Sequence, residues 1–561
     1  MDCRSRNAAA RDRCGRRYRC LRQEKAVMTE KRKKLAIILL AVVAVLAVLY
    51  FAVLSPLLRT DEPADETQLL PGELMDSSGY IMMFERIEQS NISSISVHNS
   101  YGDWEMYKAS DGNFYIRDHE SVPYNKAAFS SLVVAAGYSA TLGRVSDSCT
   151  GDALEEYGLT GDCSYYVIKS VGGAEYKVYI GDLIPTAGGY YARLEGRDAV
   201  YIIASDARTT LLAPVNAMAH SMVTYPLSST KYYAVKDFYI MRGDDMKIWV
   251  DYTANEDGTG GYDTKAPQGY NASSDTLGTI LSKFTEFAGK GAVALGPELS
   301  DVLKDADENT RELVEGVRQI GNSVTDDMDA LEYQRACISQ LKLLMRALFG
   351  DEALAEYGLD GELTVLHYNY NDIESYVFFG PLQEDGYRYA YSALWNIIVA
   401  FEPDDLGFLD YDVLSYVDHA LLNTAITDIS ELSIRSGKIN ETFRFSVGSD
   451  GMLGVTADSM GRPFDENELY NFRSMYRSML LITLQDHTDS RSTDDLLLSF
   501  TIKLNSGTET EYSFYRYSAR RCYYTVNGEG EFYVLADSVE KVVSDCEKVL
   551  SGLDVDSWAK S

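Results

Sequence analysis

The chain repeats one sequence signature after about 200 residues, and this repeat restricts the fold more than any other feature. Residues 151–159 read Gly-Asp-Ala-Leu-Glu-Glu-Tyr-Gly-Leu, and residues 350–359 read Gly-Asp-Glu-Ala-Leu-Ala-Glu-Tyr-Gly-Leu. Strand-like runs follow both copies, and a turn with glycine comes next, at residues 180–183 and 379–382. Because such spacing is typical of tandem units, we expect a body built from modules.

A third copy of the pattern lies near the C-terminus. Ser-Asp-Gly at residues 110–112 matches residues 449–451, and residues 191–202 align without gaps with residues 523–534. The Tyr-Gly-Leu signature itself is missing from this copy. The sequence therefore predicts three repeat modules, which span residues 80–225, 230–415 and 426–555.

Within the first module, short apolar runs alternate with turn residues. They predict strands around residues 92–97, 104–107, 114–116, 164–170, 175–180, 190–195 and 199–204. Asn125 can cap a helix over residues 126–140, and a second helix is predicted near 206–220. Strand runs that lead into a helix indicate an α+β fold class, with modules of antiparallel strands plus helices.

Two further helical signals lie in the later modules. Residues 298–348 read as a helical insertion in the second module, with helices at 298–320 and 326–348. In the third module, Asp465 and Glu468 have the spacing of a capping box.

An uninterrupted apolar segment precedes the modules. Residues 35–54 contain no charged residue, and twenty residues at about 1.5 Å each span the roughly 30 Å of a bilayer core. Basic residues 31–34 come before this segment and acidic residues follow it, which orients the N-terminus to the cytoplasm. We expect an N-terminal transmembrane helix over residues 35–58, followed by a linker at 59–79 and an extracellular body.

A cleaved signal peptide is the alternative for this segment. Its apolar region is usually shorter, and no convincing small-residue cleavage site follows the run. The predicted localisation is therefore the cell membrane, as a single-pass protein with residues 1–34 as a basic cytoplasmic tail.

The start of the chain has two interpretations. Residues 1–27 are rich in arginine and contain Cys3, Cys14 and Cys20, whereas Met28 opens a compact basic leader directly before the apolar segment. In the first interpretation, Met28 is the true start and the preceding residues are not translated. Alternatively, these residues form a short disordered tail or a metal-binding knot, although the three cysteines lack a fourth ligand.

Charge is divided unevenly along the chain. Residues 1–34 hold 13 Lys/Arg and 4 Asp/Glu, yet the whole chain has a net charge of -32, so the body is strongly acidic. An acidic surface repels phosphate backbones, and the sequence therefore argues against a nucleic-acid partner.

Five cysteines lie in the predicted body, and their odd number leaves at least one unpaired. One interpretation is a bridge between Cys149 and Cys163 and another between Cys522 and Cys546. The favoured interpretation is five free thiols, including Cys337, because a body of this size needs no disulfide framework.

Several of these motifs together resemble a known family. They are the W-x-M-Y strand at 104–107, the Y-G-L helix end, the I-G-D-x-x-P turn with Gly181 and Pro185, and the Y-x-A-R…V-Y-x-I strands at 190–202. Over about residues 90–215 the chain resembles the bacterial domain of unknown function family four-three-four-zero. Modules two and three depart from the family pattern.

The resemblance implies a cell-envelope protein, often of Gram-positive anaerobes. Similar proteins are associated with ABC-type transport and gliding-type auxiliary components, which implies an accessory subunit. The family has no established activity, so it supplies no catalytic residue.

The residues themselves show no catalytic constellation. The six histidines, His98, His119, His220, His367, His419 and His487, form no H-E-x-x-H motif. Ser228 and Lys231 match only an S-x-x-K string, and Gly289-Lys290-Gly291 lacks the remainder of a P-loop. The sequence predicts no catalytic, cofactor-binding or metal-binding residue.

Two recurrent patterns have a structural and a functional interpretation. The Tyr-Gly-Leu copies, at 157–159 and 357–359, are best explained as helix ends in which glycine adopts a left-handed conformation. Tyrosine pairs could stack on sugars, but on a strand one tyrosine of each pair should pack inside while the other is exposed. The pairs are Tyr165-Tyr166, Tyr190-Tyr191, Tyr232-Tyr233 and Tyr523-Tyr524.

We therefore expect a non-enzymatic, membrane-anchored extracytoplasmic accessory or scaffold protein. Its expected contacts are the membrane, through residues 35–58, and an envelope protein such as an ABC transporter permease. One alternative is a module that binds an extracellular ligand or cell-wall glycan. A second alternative is an unrecognised envelope hydrolase, which requires a cleft with convergent carboxylates and perturbed pKa values.

Overall fold

The computed structural model describes residues 68–186, 188–228, 235–254, 260–267, 270–305, 308, 311–312, 314–315, 329–448 and 452–555. The predicted tail and transmembrane segment, residues 1–34 and 35–58, lie outside the described residues. Contacts divide the chain into one unit up to Met75 and a second unit from Asp76 onward, and the modules belong to the second unit. Two short strands, β1 Leu74–Met75 and β2 Ile81–Met82, precede the modules.

Each module contributes one eight-stranded antiparallel sheet. Module one has β3 Ile92–Asn99, β4 Gly102–Lys108, β5 Phe114–Ile116, β6 Gly143–Ser146, β7 Tyr165–Ser170, β8 Glu175–Leu183, β9 Gly189–Leu194 and β10 Val200–Ala204. Module two has β11 Lys236–Arg242, β12 Asp245–Ala254, β13 Gly260–Ala266, β14 Gly291–Leu295, β15 Thr364–Tyr370, β16 Ile373–Leu382, β17 Arg388–Ser392 and β18 Ile397–Phe401. Module three has β19 Ile429–Arg435, β20 Asn440–Val447, β21 Leu453–Ala457, β22 Leu484–His487, β23 Leu496–Leu504, β24 Glu509–Arg516, β25 Arg521–Val526 and β26 Phe532–Leu535.

The three sheets share one strand order. In module one it is β5-β4-β3-β7-β8-β9-β10-β6, and the other two modules repeat it strand for strand. The first three strands form one meander and the last four form another, and the two meanders join where the first strand pairs with the fifth. The fourth strand crosses to the opposite edge and pairs with the eighth. The predicted repeat is therefore confirmed.

Helices are fewer than strands in the described residues. They are α1 Lys126–Gly137, α2 Ser205–Leu211, α3 Ser274–Lys283, α4 Leu299–Asp305, α5 Ala330–Phe349, α6 Asp351–Glu356, α7 Val413–Tyr416, α8 Glu466–Leu480 and α9 Ala536–Leu550. Short 3-10 turns lie at Gln89–Asn91, Gly151–Tyr157, Val215–Met218, Pro403–Asp410 and Ile426–Asp428. Among the described residues, no helix combines the length and the apolar character needed to cross a bilayer.

The predicted fold class is wrong. The sequence indicates an α+β fold with an N-terminal transmembrane helix and modules of strands plus helices, whereas the described part of the chain consists mostly of β-rich tandem modules. One reason is that the helix predicted near 206–220 ends at Leu211, because Pro214 follows and disfavours helix in the residue before it. Another is that β6, β14 and β22 are too short to show a period in the sequence.

The predicted helix caps are confirmed. The Asn125 side chain accepts hydrogen bonds from the Ala127 and Ala128 amides at the start of α1, at 3.1 Å each. At the start of α8, the Asp465 carboxylate accepts from the Glu468 amide and the Glu468 carboxylate accepts from the Asp465 amide, both at 2.9 Å. These are short-range interactions, which sequence spacing alone can specify.

In all three modules, helices pack against the same face of the sheet. In module three, Phe472 of α8 lies 4.9 Å from Phe443, measured between ring centroids, and Val539 of α9 joins the same core. Module two differs because α5, part of the predicted insertion, covers the second face as well. Ile338 and Leu341 of α5 belong to a core that includes strand residues of that face.

Adjacent modules are joined through short linkers that pair with both neighbours. The linker after module one pairs with the segment before α1 and with the segment before β14. The linker after module two pairs with the equivalent segments, before α3 and before β22. The bridges are Tyr124 to Ala219, Met222 to Ala288, Ala272 to Val417 and Ala420 to Thr483. Because both linkers use the same pairings, the modules are joined by backbone hydrogen bonds as well as by the chain.

The packing of α5 on module two can be tested with Phe378, which is fully buried on β16 in the α5 core. Phe378→Ala should lower the free energy of unfolding of this module by about 3–5 kcal/mol, because a large buried ring is lost. Hydrogen–deuterium exchange, which follows each module separately, should show faster exchange in α5 and β16.

Leu382→Ala provides the control, since Leu382 lies at the exposed end of the same strand. Its expected effect is within about 0.5 kcal/mol. Equal acceleration of exchange in both variants would contradict the described packing.

Candidate functional site

Five directly opposed residues cross the sheet of module one. The register pairs Asp103 with His98, His98 with Tyr165, Tyr165 with Tyr179, and Tyr179 with Arg193. They lie on five neighbouring strands and, at about 4.8 Å between strands, span roughly 19 Å. We call this line of residues the cross-sheet row of module one.

The same row in module two is apolar. The equivalent register positions, in the same strand order, are Met246, Met241, Val365, Phe378 and Tyr391. The α5 helix covers them, with the Phe349 ring 5.7 Å from that of Tyr391. This row is therefore part of the core of module two.

The same row in module three is hydroxylated or polar. Its positions are Asn440, Arg435, Ser499, Ser513 and Thr525. In module three Ser499, Ser513 and Thr525 are buried. One backbone arrangement thus carries three kinds of side chain at equivalent positions of the same sheet face.

Among the described residues, no long helix lies over the face around the row of module one. The turn Gly151–Tyr157 packs at its β9–β10 side, where Leu154 and Val200 form a small core with Tyr179. We call the row of module one, with its neighbours Glu105 and Lys177, the open face.

Ring and ion contacts hold the side chains of the open face in place. The His98 Nδ1 lies 2.5 Å from the Asp103 carboxylate, and the imidazole stacks on Tyr165 with centroids 4.8 Å apart. The Lys177 ammonium lies 3.8 Å from the Tyr165 ring centroid and 4.8 Å from that of Tyr179. The Tyr179 hydroxyl also donates to Glu195 at 2.8 Å, so neighbours hold both tyrosine rings in fixed positions.

Electrostatics at the edge of the open face are set by Arg117. Burial acts to raise the pKa of Glu105, but hydrogen bonds from Arg117, Ser94 and Ser96 outweigh it and hold that pKa below its usual value. Arg117 Nε lies 2.5 Å from the Glu105 carboxylate and its guanidinium stands over the Tyr107 ring at 4.2 Å. Glu105 is thus kept as a charged, paired carboxylate.

A cavity of about 400 Å³ opens beside the row. Its lining includes His98, Trp104 and His119. The His119 Nδ1 lies 2.9 Å from the Gly296 carbonyl oxygen, and the Ser121 amide donates to Glu298 at 2.7 Å. The cavity therefore lies close to the junction with module two.

Apart from His98 and His119, which line one cavity, the histidines of the described residues lie at separate places. His367 is buried, with Nδ1 2.9 Å from the Asp237 carbonyl and Nε2 2.5 Å from the Glu374 carboxylate. Nε2 of His419 lies 3.2 Å from the Leu414 carbonyl. His220 and His419 lie in the two linkers, two and three residues after the short helical segments Val215–Met218 and α7. In the described residues, no three metal-binding side chains cluster.

The sequence motifs have structural roles. Gly158 and Gly358 both have φ of 65°, the left-handed conformation predicted for the Tyr-Gly-Leu helix ends. Lys290 donates to the Tyr387 hydroxyl at 2.6 Å, at the edge strand β14, so Gly289-Lys290-Gly291 does not form a phosphate loop. Ser228 is described, but Lys231 lies outside the described residues.

The tyrosine pairs follow the expected alternation only once. Tyr166 is buried while Tyr165 lies on the open face. Both members of the pair at 190–191 are half-buried, both members of the pair at 523–524 are buried, and the pair at 232–233 lies outside the described residues.

The five body cysteines are free thiols. Burial raises the pKa of Cys522 to about 11 and that of Cys546 to about 12, so both remain protonated at neutral pH. They act as small apolar core residues.

Sequence reasoning missed the open face. The local signal was the alternation Ser94, Ser96, His98 between buried Ile95 and Val97, but nothing local gives the partners of these residues on other strands. Register is a long-range property, and it alone brings His98 next to Tyr165.

Comparisons with family models, with curated proteins and with solved structures find no match to the chain. The resemblance to the domain of unknown function family four-three-four-zero therefore stays a prediction.

Acid should weaken the junction between modules one and two through His220. Burial lowers the pKa of His220 to about 4, below the roughly 6.5 of an unfolded chain. The unfolded state then binds more protons between these values, so stability should fall as the pH drops from about 6.5 to about 4. The folded geometry agrees, because the His220 Nδ1 accepts the Met222 amide at 2.9 Å and has no room for a proton.

His220→Gln should make thermal unfolding less sensitive to pH between 7 and 4.5, as measured by differential scanning calorimetry. His487→Gln is the control, since His487 is an exposed edge-strand residue. An unchanged pH dependence in His220→Gln would show that the linker histidine does not govern the junction.

Proposed function

We propose that the chain is a non-enzymatic, membrane-anchored accessory or scaffold protein that binds a protein partner through the open face of module one. The observation that carries the proposal is the comparison of the three rows. The same sheet face takes a helix, α5, in module two, and among the described residues of module one it presents fixed aromatic and charged side chains without such a cover.

The composition of the open face supports a protein partner. Tyrosine and arginine are enriched in protein interfaces, and tyrosine contributes a large contact area at little cost in side-chain entropy. Tyr165, Tyr179 and Arg193 are half-buried and held by neighbours, so little further ordering is needed on binding.

Glycan binding is less well supported. Sugars stack on the free face of an aromatic ring. The Tyr165 ring has both His98 and Lys177 against it, and the Tyr179 ring has Lys177 against it. For a hydrolase, one pairing of acid and base is His367 with Glu374, in which the histidine is buried and the carboxylate is exposed. The pair lies in the sheet beneath α5, where Tyr239, which is 4.7 Å from His367, donates to Gln334 of α5 at 3.0 Å.

The anchor and the class of partner are proposed from the sequence. The apolar residues 35–54 would hold the protein in the membrane, with the basic tail in the cytoplasm and the modules outside. The resemblance to an envelope family associated with ABC-type transport makes a transporter permease the partner to test first.

Cross-linking from the open face tests the proposal. A photoreactive phenylalanine analogue in place of Tyr179, in the full chain expressed in its own host, should give a covalent adduct with one membrane protein. The same analogue in place of Tyr470, an exposed tyrosine on α8 of module three, should give none. Equal labelling from both positions, or none from either, would count against a partner on this face.

Alanine variants add a quantitative measurement. The double variant Tyr165→Ala, Tyr179→Ala should reduce recovery of the cross-linked partner in gentle detergent by about tenfold or more, since interface tyrosines each contribute on the order of 1–2 kcal/mol. The matched control is Ser499→Ala, Ser513→Ala at the same positions of module three. Retention of purified cell wall by the wild type but not by the tyrosine variant would favour the glycan alternative.

Localisation can be measured separately. Protease added to intact cells should digest the modules while leaving the N-terminal tail protected, and deletion of residues 35–54 should move the protein to the soluble fraction. Recovery of wild-type protein free in the culture medium, cleaved beyond residue 58, would contradict the anchor.

A further inference from the structure

A second cavity, of about 680 Å³, lies in module two, at the end of the sheet where β16 leads into β17. This volume is in the range of pockets for small molecules. The repeat signatures form its walls, since Gly358 and residues 380–382 are among the lining residues. Two arginines, Arg242 and Arg388, also line it.

Arg388 forms a rigid cation in the wall. Only 8% of its surface is exposed. Its Nε donates to the Gly380 carbonyl at 2.7 Å, its Nη2 donates to the Thr364 hydroxyl at 3.2 Å, and its Nη1 lies 3.1 and 3.3 Å from the two carboxylate oxygens of Asp410. The Asp410 side chain is 66% exposed, so the pair reaches from the buried wall to the solvent.

Arg242 carries a charge that no carboxylate among the described residues pairs with. Its Nη2 donates to the carbonyls of Leu409 and Tyr411, at 2.7 and 3.2 Å. Its Nε is buried and has no hydrogen-bond partner within the described part of the chain. A half-buried guanidinium with an unused buried donor is unfavourable unless an acceptor completes it.

The acidic residues that line the cavity do not form an ion pair with Arg242. Asp360 and Glu362 are exposed at the rim of the cavity, where water screens their charge. Asp410 pairs with Arg388. The lining therefore combines two partly or fully buried guanidinium groups with three exposed carboxylates, of which Asp410 is paired with Arg388.

The fold does not require the charge on Arg242. Asn99 occupies the same position in module one, as the last paired residue before the first hairpin turn. Its Nδ2 makes the same type of contact, to the carbonyls of Leu212 and Ala213 at 3.0 and 3.2 Å. An uncharged amide therefore makes the same structural contact in module one. In module two the guanidinium of Arg242 makes this contact and also carries a positive charge.

Module three has a cavity at a comparable place, beside its first hairpin and the start of its fifth strand, and no arginine lines it. It measures about 430 Å³, and its lining includes Asp495, Glu540, Glu547 and Lys438. Of these two cavities, the arginines are particular to that of module two.

We infer that the cavity of module two is a binding site for a small organic or inorganic oxyanion, a carboxylate or a phosphate, recognised by Arg242 and Arg388. Guanidinium groups match the geometry of two-oxygen anions, and both arginines line the cavity. The site is separate from the open face and does not depend on the partner proposed for that face.

Binding can be measured on the purified full chain with two probes, succinate and inorganic phosphate, by isothermal titration calorimetry at constant ionic strength. At least one probe should bind saturably and raise the midpoint of thermal unfolding. Arg242→Asn, which installs the residue that module one uses, should fold normally and lose about tenfold to a hundredfold in affinity, because a charged hydrogen bond is removed.

Two further variants separate the site from general electrostatics. Arg335→Asn removes an exposed arginine of the same module that also donates to a main-chain carbonyl, and its affinity should equal that of the wild type. Arg388→Gln should also weaken binding, and circular dichroism would verify that it folds. The inference is overturned if neither probe binds the wild type, or if Arg242→Asn binds as tightly as the wild type does.

Discussion

Each module depends on the pairing of its first strand with its fifth. The three pairs are β3 with β7, β11 with β15 and β19 with β23, all antiparallel and all in the middle of a sheet. The meanders on either side form from neighbouring hairpins, but only this long-range pairing makes them one sheet. Its register then decides which face each side chain of the five central strands occupies.

Different uses of one face follow from that register. The row positions are the same in all three modules, yet they carry Tyr165 and Tyr179 in the first, Val365 and Phe378 in the second, and small hydroxylated residues in the third. An apolar row requires a cover, which α5 supplies within the chain. An aromatic and charged row with its side chains already ordered can remain in water and still offer a surface for another protein.

The contact at the first hairpin of modules one and two shows the same independence of backbone and chemistry. The Pro403–Asp410 turn and the first hairpin of module two enclose a space between them, and Arg242 connects these elements through two carbonyls. Asn99 makes the corresponding connection in module one without a charge. The two modules thus share the contact between the hairpin and the carbonyls, but only Arg242 brings a positive charge to it. A repeat permits this difference because the shared backbone places the residue, while its side chain can differ between modules.

The sequence by itself determined what depends on neighbouring residues. The caps at Asn125 and Asp465 and the left-handed glycine at Gly158 could be predicted from spacing, because the groups involved lie within a few residues of each other. The repeat could be predicted from self-similarity of the sequence at a distance. The sequence overestimated helix and missed β6, since a four-residue strand has no measurable period.

Only the tertiary structure decided which distant residues meet. His98 and Tyr165 stack across 67 positions of sequence, and Arg242 shares a cavity with Arg388, 146 positions away. The order of strands in the sheet, the cover over module two and both candidate sites follow from such contacts. Their physical origin is strand register and the packing of layers, which residue spacing along the chain does not encode.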